Sequence, residues 1–410
     1  MTDTENTILM LLKACFSVSL DVGNVSEVNW HDVEKLSKKH NILPLVLQGV
    51  FNLSLTNTAP YEMLKRWKNH TISVMLRNNY LMYLQHKAIE SILRENIPYA
   101  ILKGASVAVC YPNPDVRMLG DIDILVPQGL CGEASRILER DGYKMHQHAH
   151  EHKFHYRLSK KGCDIELHYA VSVFPDNKAG KNAQKFMQNA LEKTDIKTLN
   201  GYRFNVLLPQ SQSISLLSHM ERHMVSSDMG LRQLCDWYAH VNSLDSVHFQ
   251  DKIVPLIEQT GLRRFAEALT VICVNWLGLD TARAAWCSDI SEQKVQNLLE
   301  DILHAEDLGR SQPERSVGSV FVKEYGKKDC KISLLQTTIR NLNISAKNQF
   351  PIIKYLPVLF PFFWIYLSLR YWVRSMQGKR PKYSFAKTAR ISYARKKLYR
   401  EFELFRIKKK

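Results

Sequence analysis

Asp121 and Asp123, two positions apart in Arg117-Met-Leu-Gly-Asp-Ile-Asp-Ile-Leu-Val126, are the residues whose type and spacing most directly suggest chemistry. Ile122, Ile124 and Val126 alternate with them, the period of a strand, in which residues two apart share a face. The apolar set turns inward and both carboxylates project toward one edge. Like charges side by side are costly unless a cation holds them, so the pair predicts a divalent-metal site. Upstream, Ile101-Leu-Lys-Gly-Ala-Ser106 reads as a strand end and a glycine turn, where Gly104 and Ser106 suit contact with phosphate oxygens. Lys103 and Arg117 are placed to neutralise triphosphate charge. Downstream, Cys163-Asp-Ile-Glu-Leu-His-Tyr-Ala-Val171 alternates again and offers Glu166 as a third carboxylate, with Asp164 its competitor on the same face. Phosphoryl and nucleotidyl transfer use this kit: two metal ions about 4 Å apart, held by two or three carboxylates.

These residues need elements to position them. The pattern predicts helices over 6–16 and 31–52, and a long one over 61–95, where no Gly or Pro interrupts the apolar three- and four-residue steps. Strands are expected at 99–102, 121–126, 143–148, 153–159 and 163–171. A two-stranded turn is expected over 196–208, centred on Asn200-Gly201, with a helix at 130–141 and a loop and a helix over 172–192. From Pro209 to about residue 310 the pattern is helical, and 311–330 reads as polar loop. The expected organisation is an N-terminal helical region (1–97), a catalytic core (98–209), a helical domain (210–345) and an apolar, basic C-terminal segment (346–410).

Charge is unevenly spread. Of the net +16, residues 370–410 carry +13, from 15 Lys or Arg against Glu401 and Glu403, which leaves +3 for the rest. A near-neutral body argues against a nucleic-acid acceptor, because gripping a phosphate backbone needs a positive groove. Tyr355–Leu369 is apolar but holds two prolines and falls short of the ~20 residues a spanning helix needs. Together with the basic, aromatic tail it reads as a surface for the anionic inner face of the membrane, as an RNA-contacting arm, or as an aromatic face packed on the body. The eight cysteines show no CxxC spacing, and no basic region precedes the first apolar run, so a cytoplasmic placement with reduced thiols is expected. The run from His146 through His148, His150 and His152 to His155 is read as a polar hairpin turn in preference to a zinc site.

The order of motifs resembles the polymerase-beta-like nucleotidyltransferase fold, an α/β (α+β) core with a mixed sheet. More narrowly it is similar to a bacterial uncharacterised nucleotidyltransferase family. The resemblance rests on Leu102-Lys103-Gly104, Tyr111-Pro112, Arg117, Gly120-Asp121-Ile-Asp123 and Glu166-Leu167-His168-Tyr169. His219, His223 and Asp236, followed by a proline-broken apolar stretch ending at Trp364 and Arg370, extend it over about residues 30–375. One departure is Ala105, which separates Gly104 from Ser106 where the superfamily has Gly-Ser adjacent.

The resemblance implies a metal-dependent enzyme with Asp121, Asp123 and Glu166 on Mg²⁺ or Mn²⁺. Lys103, Gly104, Ser106 and Arg117 would lie on a nucleoside triphosphate, with ATP as donor. For His168 two readings stand, orienting Glu166 or touching substrate, beside that of a satisfied sheet histidine. His219 and His223, one turn apart, either reach the cleft or pack with Arg232 and Asp236. The acceptor is a small molecule, a glycan-related compound or a protein. From another class comes the reading of an inactive nucleotide-binding scaffold at the membrane surface.

Overall fold

The computed structural model describes residues 1–17, 28–146, 154–226, 229–288, 290–305, 356–377 and 401–405, with single positions between 339 and 353. The chain divides into two compact units. One comprises 1–221, 229–305 and 403–410, and the other 222–228 and 306–402.

The first unit opens with four helices, α1 (Asp3–Phe16), α2 (Trp30–Lys39), α3 (Leu43–Asn52) and α4 (Tyr61–Arg94). A capping box starts α1: the Thr2 hydroxyl accepts the Glu5 N–H and the Glu5 carboxylate accepts that of Thr2. The single helix expected over 31–52 is two. Asn41 takes a left-handed φ of 56° between them, and Pro44, which lacks an N–H, falls in the first turn of α3 where no partner is needed. Of the residues predicted to form the apolar face of α4, Met63, Leu64, Trp67, Val74, Leu81, Leu84, Ile89 and Ile92 are buried, while Met75 is half-buried and Leu93 exposed.

The sheet has seven strands: β1 (Ala100–Leu102), β2 (Ile122–Leu125), β3 (Lys144–Met145), β4 (His155–Lys160), β5 (Cys163–His168), β6 (Thr194–Leu199) and β7 (Tyr202–Leu207). Their order is β3-β4-β5-β2-β1-β7-β6. It is mixed: β2 runs parallel to β5 and antiparallel to β1, while β1 runs parallel to β7. Between strands lie α5 (Gly104–Ala108), α6 (Cys131–Arg140) and α7 (Lys178–Gln188). Ile122, Ile124, Ile165 and Leu167 form one core with Leu84 and Ile92 of α4 and Leu138 of α6. On β2 and β5 the opposite face carries Asp123, Glu166 and His168.

Helices α8 (Pro209–Ser226), α9 (Leu231–Ser243), α10 (Ser246–His248), α11 (Val254–Gln259), α12 (Arg263–Leu277) and α13 (Glu292–Leu303) follow. The Trp237 indole N–H of α9 donates to Thr270 Oγ1 of α12 at 3.0 Å. His40, at the end of α2, accepts the Leu231 N–H through Nδ1 at 3.2 Å and donates from Nε2 to the Leu303 carbonyl at 3.2 Å. Near the C-terminus, the Phe405 N–H reaches the Gly261 carbonyl at 2.8 Å and its carbonyl accepts from Asn177. The Phe405 ring meets that of Phe174, centroids 6.1 Å apart. Residues 378–400, like the expected loop at 311–330 and the histidines at 148, 150 and 152, lie outside the described residues.

In the second unit, a 3₁₀ turn at Pro357–Leu359 leads into α14 (Phe360–Met376). The two prolines do not break the apolar run, as the sequence suggested. Pro357 opens the turn and Pro361 falls in the first turn of the helix. Phe363 packs on Phe350 with centroids 4.2 Å apart and the rings tilted by 31°, and the Trp364 indole donates to Asn343 Oδ1 at 2.8 Å. Among the described residues no helix is long and apolar enough to cross a membrane.

Candidate active site

Strand register brings the acids together. Asp123 on β2 lies opposite Glu166 on the parallel strand β5 and opposite Leu102 on the antiparallel strand β1. Lys103, the next residue after Leu102, therefore arrives beside Asp123, with Nζ 2.7 Å from Oδ1. Asp121 sits one residue before β2. Oxygens of Asp121, Asp123 and Glu166 all lie within 4.8 Å of one another. Asp123 is buried at 3% exposure, whereas Asp121 reaches solvent. The cluster is thus anchored at one end and open at the other.

Two histidines back it. His168 lies across from His155 on β4, and both share a sheet face with Glu166. His168 Nε2 is 2.8 Å from Asp123 Oδ1 and 3.4 Å from Glu166 Oε2, and His155 Nε2 is 3.7 Å from Glu166 Oε1. His155, Glu166 and His168 form a second set with ligand atoms within 4.8 Å. Read only as part of a histidine-rich turn, His155 had not been expected at the site. Its signal was period-two spacing with Arg157 on a strand.

The electrostatics follow from this packing. The Asp123 charge, followed by burial, pushes the Asp121 carboxyl up to about 6, against the pull of Lys103. Burial also pushes Glu166 upward, but the His168 hydrogen bond and the charges of Lys103, His168 and His155 outweigh it and hold this carboxyl well below the usual range. Burial lowers His168, and its hydrogen bonds to Asp123 and Glu166 outweigh that and raise it. Three hard oxygen donors with excess negative charge suit Mg²⁺ or Mn²⁺, and the Lys103 ammonium already answers part of that charge.

The other expected residues are placed differently from one another. Lys103 has φ 47° and Gly104 φ 39°, so the turn between β1 and α5 is left-handed over two residues, a conformation costly for the lysine. Ser106 is buried, and its hydroxyl donates to the Lys103 carbonyl at 2.8 Å while accepting from Gln212 Nε2 at 2.9 Å. That hydroxyl braces the turn. Arg117, expected to face phosphate, is 4% exposed and grips Asp236 of α9 through Nε (3.0 Å) and Nη2 (2.7 Å). Tyr111 donates to the same carboxylate at 2.7 Å. Burial works against the Arg117 charge, but Asp236 outweighs it and raises the guanidinium further. Arg232 donates to the Met118 carbonyl at 3.3 Å; burial and then the Arg117 charge lower its guanidinium, against the pull of Asp236 and Asp121. Asp164 is taken by Arg157 at 2.6 Å. His219 and His223 lie on α8, and neither joins the two groups of clustered ligand atoms found among the described residues.

The model of the family described as "Uncharacterised nucleotidyltransferase" matches residues 26–278, more than half of the chain. The protein belongs to that family. Its match takes in the Lys103 turn, the three acids, His168 and Asp236, together with the mixed sheet that the sequence predicted. This nucleotidyltransferase has no match among curated proteins.

Proposed function

We propose that this nucleotidyltransferase moves a nucleoside monophosphate, AMP from ATP, onto a hydroxyl of a small-molecule, glycan-related or protein acceptor. The single observation that carries the reading is the convergence of Asp121, Asp123 and Glu166 within 4.8 Å, with Lys103 on Asp123. In this reading Asp121 and Asp123 hold Mg²⁺ or Mn²⁺ and Glu166 completes the set. Divalent ions bound there supply Lewis-acid stabilisation of the charge that develops on the α-phosphate and the leaving pyrophosphate.

The chain's own groups do the rest. Lys103 and the backbone of the Lys103–Gly104 turn meet the triphosphate, since the Ser106 hydroxyl is already committed to Lys103 and Gln212. Arg232, held at the Met118 carbonyl, replaces Arg117 as the arginine facing phosphate, while Arg117 fixes the loop that delivers the acids. His168 orients Asp123 and Glu166 from behind. Glu166 or a nearby histidine takes the acceptor's proton as the hydroxyl attacks. The enzyme works in the cytoplasm, at the inner face of the membrane, to which its basic C-terminal segment is drawn.

Incubation of the enzyme with labelled ATP, Mg²⁺ and a cell lysate tests the reading. The expected result is pyrophosphate release with label on a discrete acceptor. In Asp121→Asn/Asp123→Asn both fall by on the order of 10²-fold or more. ATP binding that survives the double substitution, with no pyrophosphate release in any extract, would sink it.

A further inference from the structure

The exposed apolar side chains of α14 fall in one stripe. Phe362, Ile365, Tyr366, Leu369, Val373 and Met376 are between 44% and 70% exposed. At about 100° per residue they lie within an arc of roughly 100° on the helix surface. Away from the stripe Phe363 meets Phe350 and Trp364 meets Asn343, and Tyr366 at the stripe's edge also touches the Phe350 ring. A continuous stripe of this size is rare on a surface that meets only water. The helix has 17 residues, a length of about 26 Å, so it fits along a bilayer surface and falls short of its ~30 Å core.

Charge identifies what the stripe meets. Residues 370–400 carry eleven Lys or Arg and no Asp or Glu, beginning within the helix at Arg370 and Arg374. That density of positive charge beside an apolar stripe is complementary to lipid headgroups of negative charge over acyl chains. A second copy of this chain would bring an equally basic segment against the first, which repels. We propose that α14 lies in the membrane–water interface with this stripe inserted, and that the partner is an anionic bilayer. The inference rests on the peripheral-membrane reading above and names the face that enters; it is independent of the chemistry at Asp121, Asp123 and Glu166. Attraction by the basic segment alone would be lost in salt, whereas an inserted stripe holds against it.

The test uses the full chain with vesicles of phosphatidylcholine alone or with about one-third phosphatidylglycerol, sedimented at low and high salt. The comparison is Phe362→Ser/Ile365→Ser/Leu369→Ser, all exposed positions, with circular dichroism and pyrophosphate release as folding controls. The expected result is binding of the wild type to anionic vesicles, part of which survives high salt. The triple variant loses the salt-resistant part, a drop of on the order of tenfold in bound fraction over free. Binding equal in both proteins and abolished by salt overturns insertion while leaving the peripheral reading intact. No binding at low salt overturns both. A vesicle-indifferent dimer that the triple variant converts to monomer, seen by light scattering, assigns the stripe to a second copy and overturns the proposal. None of these outcomes bears on nucleotidyl transfer, which the labelled-ATP experiment judges.

Discussion

Asp121 combines exposure with a carboxyl pushed up to about 6, first by the Asp123 charge and then by burial. Because this value lies above the unfolded value of 3.8, the folded state holds the proton more tightly, and stability falls as pH rises between the two. A divalent cation competes for the same oxygens, so its affinity is expected to rise with pH up to about 6 and level off above it. Calorimetric titration of Mn²⁺ at pH values on either side of 6, in buffers of different ionisation heat, checks this. Below 6 about one proton should leave per cation bound. Equal affinity and no proton release across the range would show that Asp121 is not a ligand. The Asp pair and Glu166 were legible in the sequence because strand alternation places residues on faces without knowledge of the rest of the fold. The roles of Ser106 and Arg117 were not. Ser106 is claimed by Gln212, 106 positions away, and Arg117 by Asp236, 119 positions away, and no local pattern reports such partners.

Arg117, Tyr111 and Asp236 tie the segment before β2 to α9, so the loop that presents Asp121 is held by a helix more than a hundred residues on. Both charges are buried, at 4% and 6% exposure, and each depends on the other. Asp236→Asn leaves the Arg117 cation without its counter-charge and is expected to cost about 3–5 kcal/mol of stability. Tyr111→Phe, which removes one hydrogen bond to a carboxylate, costs about 1.5–3 kcal/mol. Urea denaturation of the three proteins checks the order, and an Asp236→Asn midpoint equal to wild type would show that the pair is not the clasp described. At this scale most elements could be read from pattern: α4, β4, β5 and the β6–β7 hairpin fall close to where periodicity and Asn200-Gly201 put them. The break between α2 and α3 was passed over although Asn41, which takes a left-handed φ of 56°, and Pro44 three residues on both mark a helix end. The prolines near Tyr355 misled for a different reason. Their effect depends on whether they sit inside a helix or at its start, and only the fold tells.

At the scale of the whole chain, charge and chemistry are separated along the sequence. The positive charge is concentrated after residue 370, while the residues bearing the three acids belong to a body with a net charge of +3. Affinity for a polynucleotide scales with the number of phosphates that Lys and Arg neutralise, and several contacts are needed at physiological salt. Near the acids the described cations are few and already engaged: Lys103 on Asp123, Arg157 on Asp164 and Arg117 on Asp236. On the proposed reading a single triphosphate is met by Lys103 with Arg232, and among the described residues these few cations make no track for a nucleic-acid strand. The label transferred from ATP in a lysate is therefore expected to resist both ribonuclease and deoxyribonuclease at about 150 mM salt, and to run as a small molecule, glycan-related compound or protein. A nuclease-sensitive product at that salt would show that the acceptor is a nucleic acid. The basic segment after residue 370 would then be its binding arm, and the near-neutral body would have misdirected the choice of acceptor.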